Sequence, residues 1–582
     1  MRIYEDLMRK KPILAAAEAE ALGDPFAAST GPGLVKVLCA RDLTALGIAA
    51  IIGAGIFSAI GNAAYWGGPA IIFLFIFTSF ACGCTAMCYA QFASLIPASG
   101  SAYTYAYVAF GEFIAWVMGW DLLMEYAIGN IAVAISWSNY FVELLAGYGL
   151  AIPDHLTMDY RTALNGAMAV KERIAAGQNL QELMALPGVA PFIRSYRAWE
   201  FAPDILGYRV IFNLPALFIV AMVTALIYVG TQESKKVSNA MVLVKVMTIL
   251  LVIVAGIFYV KPANWNPFAP NGIGGVMKGV SGIFFAYIGF DALSTTAEEC
   301  RNPQRDLPRA MFGSLGICTL LYVALALVLT GMVHYSRLQV GDPLAFAFGR
   351  LGADVQWLMG IIAASAVVAM ASVLLVFMLG QPRIWMAMSR DGLLPRCFCV
   401  IHRRFRTPTL ATLATGLSVA VPSLFFNLSE VTDLTSIGTL FAFSIVCAGT
   451  LVLDGNDRPE PQRFRVPYID SRYIFAPLLI AIGGALLVFC PETFLQSLTT
   501  SSAPGVRLGT ILFLLFSATL AYLSFVRRLS LIPLMGLESC VYLMTELTGA
   551  CWLRFSIWIV LGLFVYFLYG RRKSKLNTAG LR

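Results

Sequence analysis

Two glycine-interrupted apolar stretches carry most of the chemistry in this sequence. The first reads Ile51-Ile52-Gly53-Ala54-Gly55-Ile56-Phe57, with Gly47 and Gly61 close by, and the second reads Phe285-Ala286-Tyr287-Ile288-Gly289-Phe290-Asp291. An interior glycine costs a helix about 1 kcal/mol relative to alanine, so both segments are expected to break. A break offers N–H groups at the start of one half-helix and free carbonyls at the end of the other. Together they hold an anion and a cation without any charged side chain. That pairing suits a zwitterion.

Ionisable groups inside apolar segments form the second set. Lys245 lies roughly 10 Å into its segment by the 1.5 Å rise per residue. A lysine there costs at least about 2.5–3.5 kcal/mol on insertion scales, which marks it as functional by default; snorkelling to the interface is the alternative. Asp121 and Glu125 are four apart and share one helical face, with Glu125 the deeper. Asp121 is expected to hydrogen-bond locally. For Glu125 and Asp291 two roles stay open: proton transfer or attraction of a cationic side chain on one hand, a polar link between helices on the other. No nucleophile, metal-ligand or paired-acid motif falls at the two breaks, so an enzyme is not expected. No metal or other cofactor is expected either.

The elements that must position these groups follow from composition. Of 582 residues, 59% are hydrophobic and 13% charged, against about 45–50% and 25% in soluble domains. Apolar runs long enough to cross the ~30 Å hydrocarbon core recur throughout. They predict fourteen helices near 43–65, 69–95, 113–145, 210–230, 238–260, 276–297, 309–333, 353–380, 408–426, 431–453, 473–491, 507–527, 531–548 and 552–570. The net charge of +8 reads as cytoplasmic loops obeying the positive-inside rule, not as a nucleic-acid surface. Most Lys and Arg fall on the side of the N-terminus when the spans are threaded alternately, which predicts both termini in the cytoplasm. Residues 1–41 read as a cytoplasmic tail with no signal-peptide core, and 571–582 as a second tail. The outer loop 146–209 mixes charges with apolar residues over Lys171–Leu186 and is expected to form one or two helices as a lid.

The breaks fall in the first and sixth spans, matched positions in two sets of five. Interrupted helices at matched positions point to an inverted-repeat transporter. The fold class expected is therefore an all-α polytopic membrane protein with a five-plus-five inverted repeat: residues 42–260 as the first repeat, 261–453 as the second, and additional helices over 454–570.

At this point the sequence resembles the amino acid, polyamine and organocation transporter superfamily, in its cationic amino acid transporter branch. The resemblance runs over about 42–453 and 529–570. It is carried by IIGAGIF (51–57), PASGSAYTY (97–105), GWDLLMEYAIGN (119–130), FFAYIGFDALSTTAEE (284–299), NPQRDLPRA (302–310) and GQPRIWMAMSRDGLLP (380–395). It implies that the amides of Gly53, Ala54 and Gly55 take a substrate carboxylate, while the carbonyls of Ile51, Phe285, Ala286 and Ile288 take its α-amino group. Ala54 departs from relatives that carry Thr or Ser there, so a hydroxyl contact is missing. The resemblance also places Lys245 where sodium sits in sodium-coupled relatives, beside the carbonyls near Gly53 and near Ser372. Burial disfavours the charged form of a lysine, so coupling to protons is expected, with Glu125 and Asp291 as further candidates. The implied function is a proton-coupled amino acid permease of the cell membrane, for cationic or small neutral amino acids. An exchanger of amino acids or polyamines, and a non-transporting sensor, are the alternatives, and a small accessory membrane subunit stays open as a partner.

Overall fold

Apolar content sets how long the helices run, and glycine, proline and hydroxyl side chains set where they stop. The structure, a computed structural model, describes residues 9–11, 38–96, 100–176, 190–205, 207–229, 235–349, 356–402, 407–453, 464–489 and 504–576. Most of the N-terminal tail and the last residues of the C-terminal tail lie outside that set. Helix α1 (Ala40–Ile51) begins where Asp42 Oδ2 accepts from the Cys39 N–H at 3.1 Å and from its thiol at 3.0 Å. It ends at Ile52, whose ψ of 96° leaves the helical region. One π turn, Gly55–Ala59, restarts the segment and α2 (Ile60–Gly67) completes it. Then follow α3 (Ile71–Leu95), the short α4 (Ser101–Ala109) and the 36-residue α5 (Glu112–Gly147).

The segment 146–209, expected as an outer loop, folds over its described residues into α6 (Tyr160–Ala175), α7 (Ala190–Glu200) and a two-residue antiparallel pair, β1 (Asp204–Ile205) with β2 (Tyr208–Arg209). The first helix starts eleven residues before the expected Lys171, because Asp159 caps it: Oδ1 accepts from the Thr162 N–H at 2.9 Å and Oδ2 from its hydroxyl at 2.6 Å. Residues 177–186 of the expected stretch lie outside the described residues. Lys171 and Glu200 tie α6 to α7 at 2.8 Å.

Helices α8 (Leu214–Val229) and α9 (Lys235–Ile257) precede the second interrupted segment. There α10 (Gly272–Met277) and α11 (Val280–Phe285) stop at Ala286, and the chain resumes as a 3-10 run over Asp291–Glu299. Hydropathy alone reads 276–297 as α-helix. Three successive hydroxyls explain the tighter coil: Ser294, Thr295 and Thr296 each donate to the carbonyl three residues back, at 2.6, 2.7 and 2.8 Å. Such bonds compete with the α-helical ladder.

The remaining helices are α12 (Pro303–Met332), α13 (Pro343–Gly349), α14 (Gln356–Arg390), α15 (Thr409–Ser423), α16 (Leu428–Leu453), α17 (Phe475–Phe489), α18 (Pro504–Arg527), α19 (Leu531–Thr545), α20 (Gly549–Val565) and α21 (Arg571–Lys573). The long α5 packs on α14 and α16, and α12 packs on α1 and α3, so the two interrupted segments are enclosed on every side. Among the described residues six helices are long and apolar enough to cross a membrane, with five shorter apolar helices beside them. Helix α5 is longer than most of the six, but Asp121, Glu125, Asn130, Ser136 and Ser138 dilute its apolar content. Helix α18 lies at the edge and turns Leu512, Leu515, Tyr522 and Phe525 outward, an apolar face that belongs against lipid, while α19 packs on α16 and α3. Both tails meet at the start of α5, where Arg9 O accepts from the Glu112 N–H at 2.9 Å and Glu112 Oε2 accepts from Ser574 Oγ at 2.5 Å.

The cap of α6 gives a direct test. Replacing Asp159 with alanine should cost the helix about 1 kcal/mol and raise hydrogen exchange over 160–175, while the exchange of α5 and α14 stays unchanged. Uniform exchange changes across the protein would mean that the outer helices are not a local unit.

Candidate functional site

The two interruptions touch backbone to backbone. A Cβ on Gly55 would stand 2.3 Å from Ala286 Cα, and a Cβ on Gly289 would stand 2.8 Å from the Ala50 carbonyl. Gly289 also has φ +126°, a conformation that side-chain-bearing residues avoid. Both glycines are therefore fixed by sterics as well as by the need to break a helix.

Breaking α1 leaves carbonyls without their intrahelical donors, and side chains from three other helices supply replacements. Lys245 Nζ, fully buried on α9, donates to Ala49 O at 2.6 Å. Tyr322 on α12 donates to Ile51 O at 3.0 Å. Past the break, Tyr140 on α5 donates to Phe57 O at 2.6 Å. In the second segment Asp291 Oδ1 accepts from the Gly289 N–H at 3.2 Å, so this carboxylate braces the break it follows.

A cavity lies between the breaks. Ala50, Ile51, Gly53, Ala54 and Gly55 form one wall and Phe285 and Ile288 another; Glu125, Gly129 and Val133 of α5, Val373 and Phe377 of α14, and Thr435 of α16 close it. Six of the seven residues expected to bind substrate line this space. The seventh, Ala286, packs against Gly55 instead. Of the expected coupling residues only Glu125 lines it. Lys245 reaches α1 from behind, Asp291 braces Gly289, and the Ser372 hydroxyl donates to Ala369 O one turn back at 2.9 Å.

Gly129 and Val133 lie four and eight residues after Glu125, so helical spacing would have found them once Glu125 was placed in the wall. Nothing local in the sequence marks Tyr140, Tyr322, Val373, Phe377 or Thr435, which arrive by tertiary packing. Asp121 also departs from expectation. Among the described residues both of its carboxylate oxygens lack a hydrogen-bond partner, as do both of Glu125. Gly438 on α16 leaves room for them, since a Cβ there would meet Asp121 Oδ1 at 3.0 Å. A buried carboxylate with no partner is costly unless a proton, a cation or water accompanies it.

Residues 40–526 match the family described as amino acid permease, and 529–574 match the C-terminal module of such permeases. The chain belongs to the amino acid permease family. It is 37% identical to the methylthioribose transporter of Bacillus subtilis strain 168, over 98% of this chain and 99% of that protein. The branched-chain amino acid permease BcaP of the same organism is 34% identical, covering 96% of this chain and 98% of the relative. A vacuolar cationic amino acid transporter of Arabidopsis thaliana is 30% identical, over 95% and 92%. The family match spans both interruptions and every residue of the cavity, so the site belongs to the permease body. The protein is a multi-pass membrane permease and not an enzyme.

Within this permease the glycines predict different outcomes. The nearest atoms to a Cβ on Gly53 belong to the Val373 side chain, at 3.1 Å and beyond. Gly53→Ala should therefore fold with only a small loss of Tm, as the Val373 side chain shifts by a few tenths of an ångström, but bind substrate more weakly, because the methyl crowds the cavity wall. Gly55→Ala drives a methyl into the Ala286 backbone and should lower stability by about 1–3 kcal/mol, as overpacking does, and abolish binding. Thermal unfolding of both variants with and without substrate checks this; equal Tm values would show that the contact between the breaks is not rigid.

Proposed function

We propose that this protein is a secondary active permease that carries amino acids by alternating access, with proton movement as the driving force. The observation that supports it most is the meeting of two interrupted helices around one cavity, lined by Ile51, Gly53, Ala54 and Gly55 from the first and by Phe285 and Ile288 from the second; in this reading the amides of Gly53, Ala54 and Gly55 take the carboxylate and the carbonyls of Ile51, Phe285 and Ile288 take the ammonium. The N–H groups that open the outer half-helix suit a carboxylate. The carbonyls suit an ammonium. The backbone thus takes the two constant groups of an amino acid, and the walls made by Val133, Val373, Phe377, Thr435 and Glu125 receive the side chain. Apolar walls with one carboxylate favour small neutral or cationic side chains. We read the chain as fourteen crossings in a five-plus-five inverted repeat, 42–260 and 261–453, with 454–570 added at the edge. Both termini face the cytoplasm of the cell membrane, and the outer loop serves as a lid.

Lys245 supplies the coupling group in this reading. Charged, its ammonium holds Ala49 O and stands in for a bound cation against the interrupted helix; neutral, it grips that carbonyl less strongly and lets the inner half of the helix move. Glu125 in the cavity wall, Asp291 at the second break and Ser372 on the facing helix complete the candidate path. An exchanger would differ by needing a counter-substrate instead of a pH gradient.

The deciding experiment is uptake of a labelled amino acid panel into proteoliposomes, with and without a pH gradient, with and without sodium. Methylthioribose belongs in the panel as a competitor, because one relative is named for its transport. Concentrative uptake of an amino acid under a pH gradient alone is expected, and dependence on sodium or on internal substrate would overturn proton coupling. Lys245→Ala should abolish accumulation while leaving part of the binding. Glu125→Gln should depress uptake of Arg or Lys more than that of Ala, and equal losses would assign Glu125 a structural or coupling role instead.

A further inference from the structure

We propose that Tyr322 is a positioning residue for substrate binding, acting through the carbonyl of Ile51; the inference rests on the permease reading above and adds a residue outside the cavity wall. Ile51 lines the cavity, and its carbonyl is one that the interruption of α1 deprives of its usual intrahelical donor. Tyr322 is fully buried on α12 and reaches that oxygen from behind at 3.0 Å. A carbonyl oxygen accepts two hydrogen bonds. Tyr322 fills one acceptor direction and leaves the other for a ligand's ammonium.

The phenol is held as firmly as the bond it makes. Its ring centroid lies 5.8 Å from that of Phe75 and 5.5 Å from that of Tyr287, and the latter two rings are 6.1 Å apart. Tyr287 is itself tied down, since its hydroxyl donates to Phe75 O at 3.1 Å. Three mutually packed rings from α3, the second interruption and α12 therefore fix where the Tyr322 oxygen stands. Two residues earlier Lys245 holds Ala49 O in the same manner. The peptide planes between Ala49 and Ile51 are thus aimed before any substrate arrives, which removes an ordering cost from binding. Without the hydroxyl, the Ile51 peptide plane is free to tilt away from the ammonium site or to turn its oxygen towards Tyr322's empty place.

The discriminating variant is Tyr322→Phe, which keeps the three rings and deletes one oxygen. Binding is measured on purified protein by ligand-dependent thermal stabilisation, using the amino acid selected by the proteoliposome panel and its des-amino carboxylic acid with the same side chain. The Kd for the amino acid should rise roughly three- to tenfold, the weight of one hydrogen bond, while the Kd for the des-amino acid changes less than twofold. A residue that only packs would not separate the two ligands. Unchanged amino acid affinity, equal losses for both ligands, or a variant that binds neither would each overturn the positioning role. Wild-type protein that binds no amino acid at all would instead overturn the permease reading on which the inference rests.

Discussion

The structure depends on one constraint: two helices are interrupted in the middle of an apolar bundle, where each backbone group freed by the interruption must find a partner. In hydrocarbon an unsatisfied N–H or C=O costs several kcal/mol, and irregular backbone survives only when buried in protein or beside a polar cavity. The two breaks meet this requirement by leaning on one another at Gly55–Ala286 and Gly289–Ala50. They also recruit Lys245, Tyr322, Tyr140 and Asp291 from outside or just beyond the broken stretch. The same interrupted backbone that endangers the fold also lines the cavity.

The grips on the first interrupted helix are divided. Its N-terminal half is held through Ala49 O and Ile51 O by α9 and α12, while the C-terminal half is held through Phe57 O by α5. Between those grips the chain has only Ile52, Gly53 and Ala54 outside regular helix geometry or at its edge. A hinge between differently anchored halves is the simplest mechanical reading of such an arrangement, because motion of one set of neighbours carries one half of the helix without the other.

What could be read from the sequence follows the range of the forces involved. Glycine interruptions and apolar runs are local signals that mark the regions where helices and the cavity stand; Lys245 is a local signal too, but it holds Ala49 O and does not line the cavity. The helix of the 146–209 segment starts at Tyr160, eleven residues before the expected Lys171, because Asp159 supplies a cap that hydropathy ignores. The 3-10 run over Asp291–Glu299 was hidden because its cause is hydroxyl bonding by Ser294, Thr295 and Thr296, not apolar periodicity. Tyr322 and Tyr140 lie 271 and 83 residues from the carbonyls they hold. No spacing rule reaches that far.

Glu125 brings these threads together in the cavity. Of its neighbours in the wall only Thr435 carries a hydrogen-bonding side chain, and that hydroxyl donates to Val431 O at 2.9 Å; Asp121 one turn earlier likewise has a carboxylate without a hydrogen-bond partner among the described residues. In water two such groups would interact weakly; in a low-dielectric interior each strongly affects whatever charge comes near. The backbone site a short distance away is neutral overall, since amides and carbonyls contribute partial charges of both signs. In the proposed reading, charge discrimination therefore resides in α5, while the grip common to every zwitterion resides in the two interrupted helices. These are separate elements of the fold, so a change in the walls reshapes the cavity without dismantling the backbone contacts at Gly55–Ala286 and Gly289–Ala50.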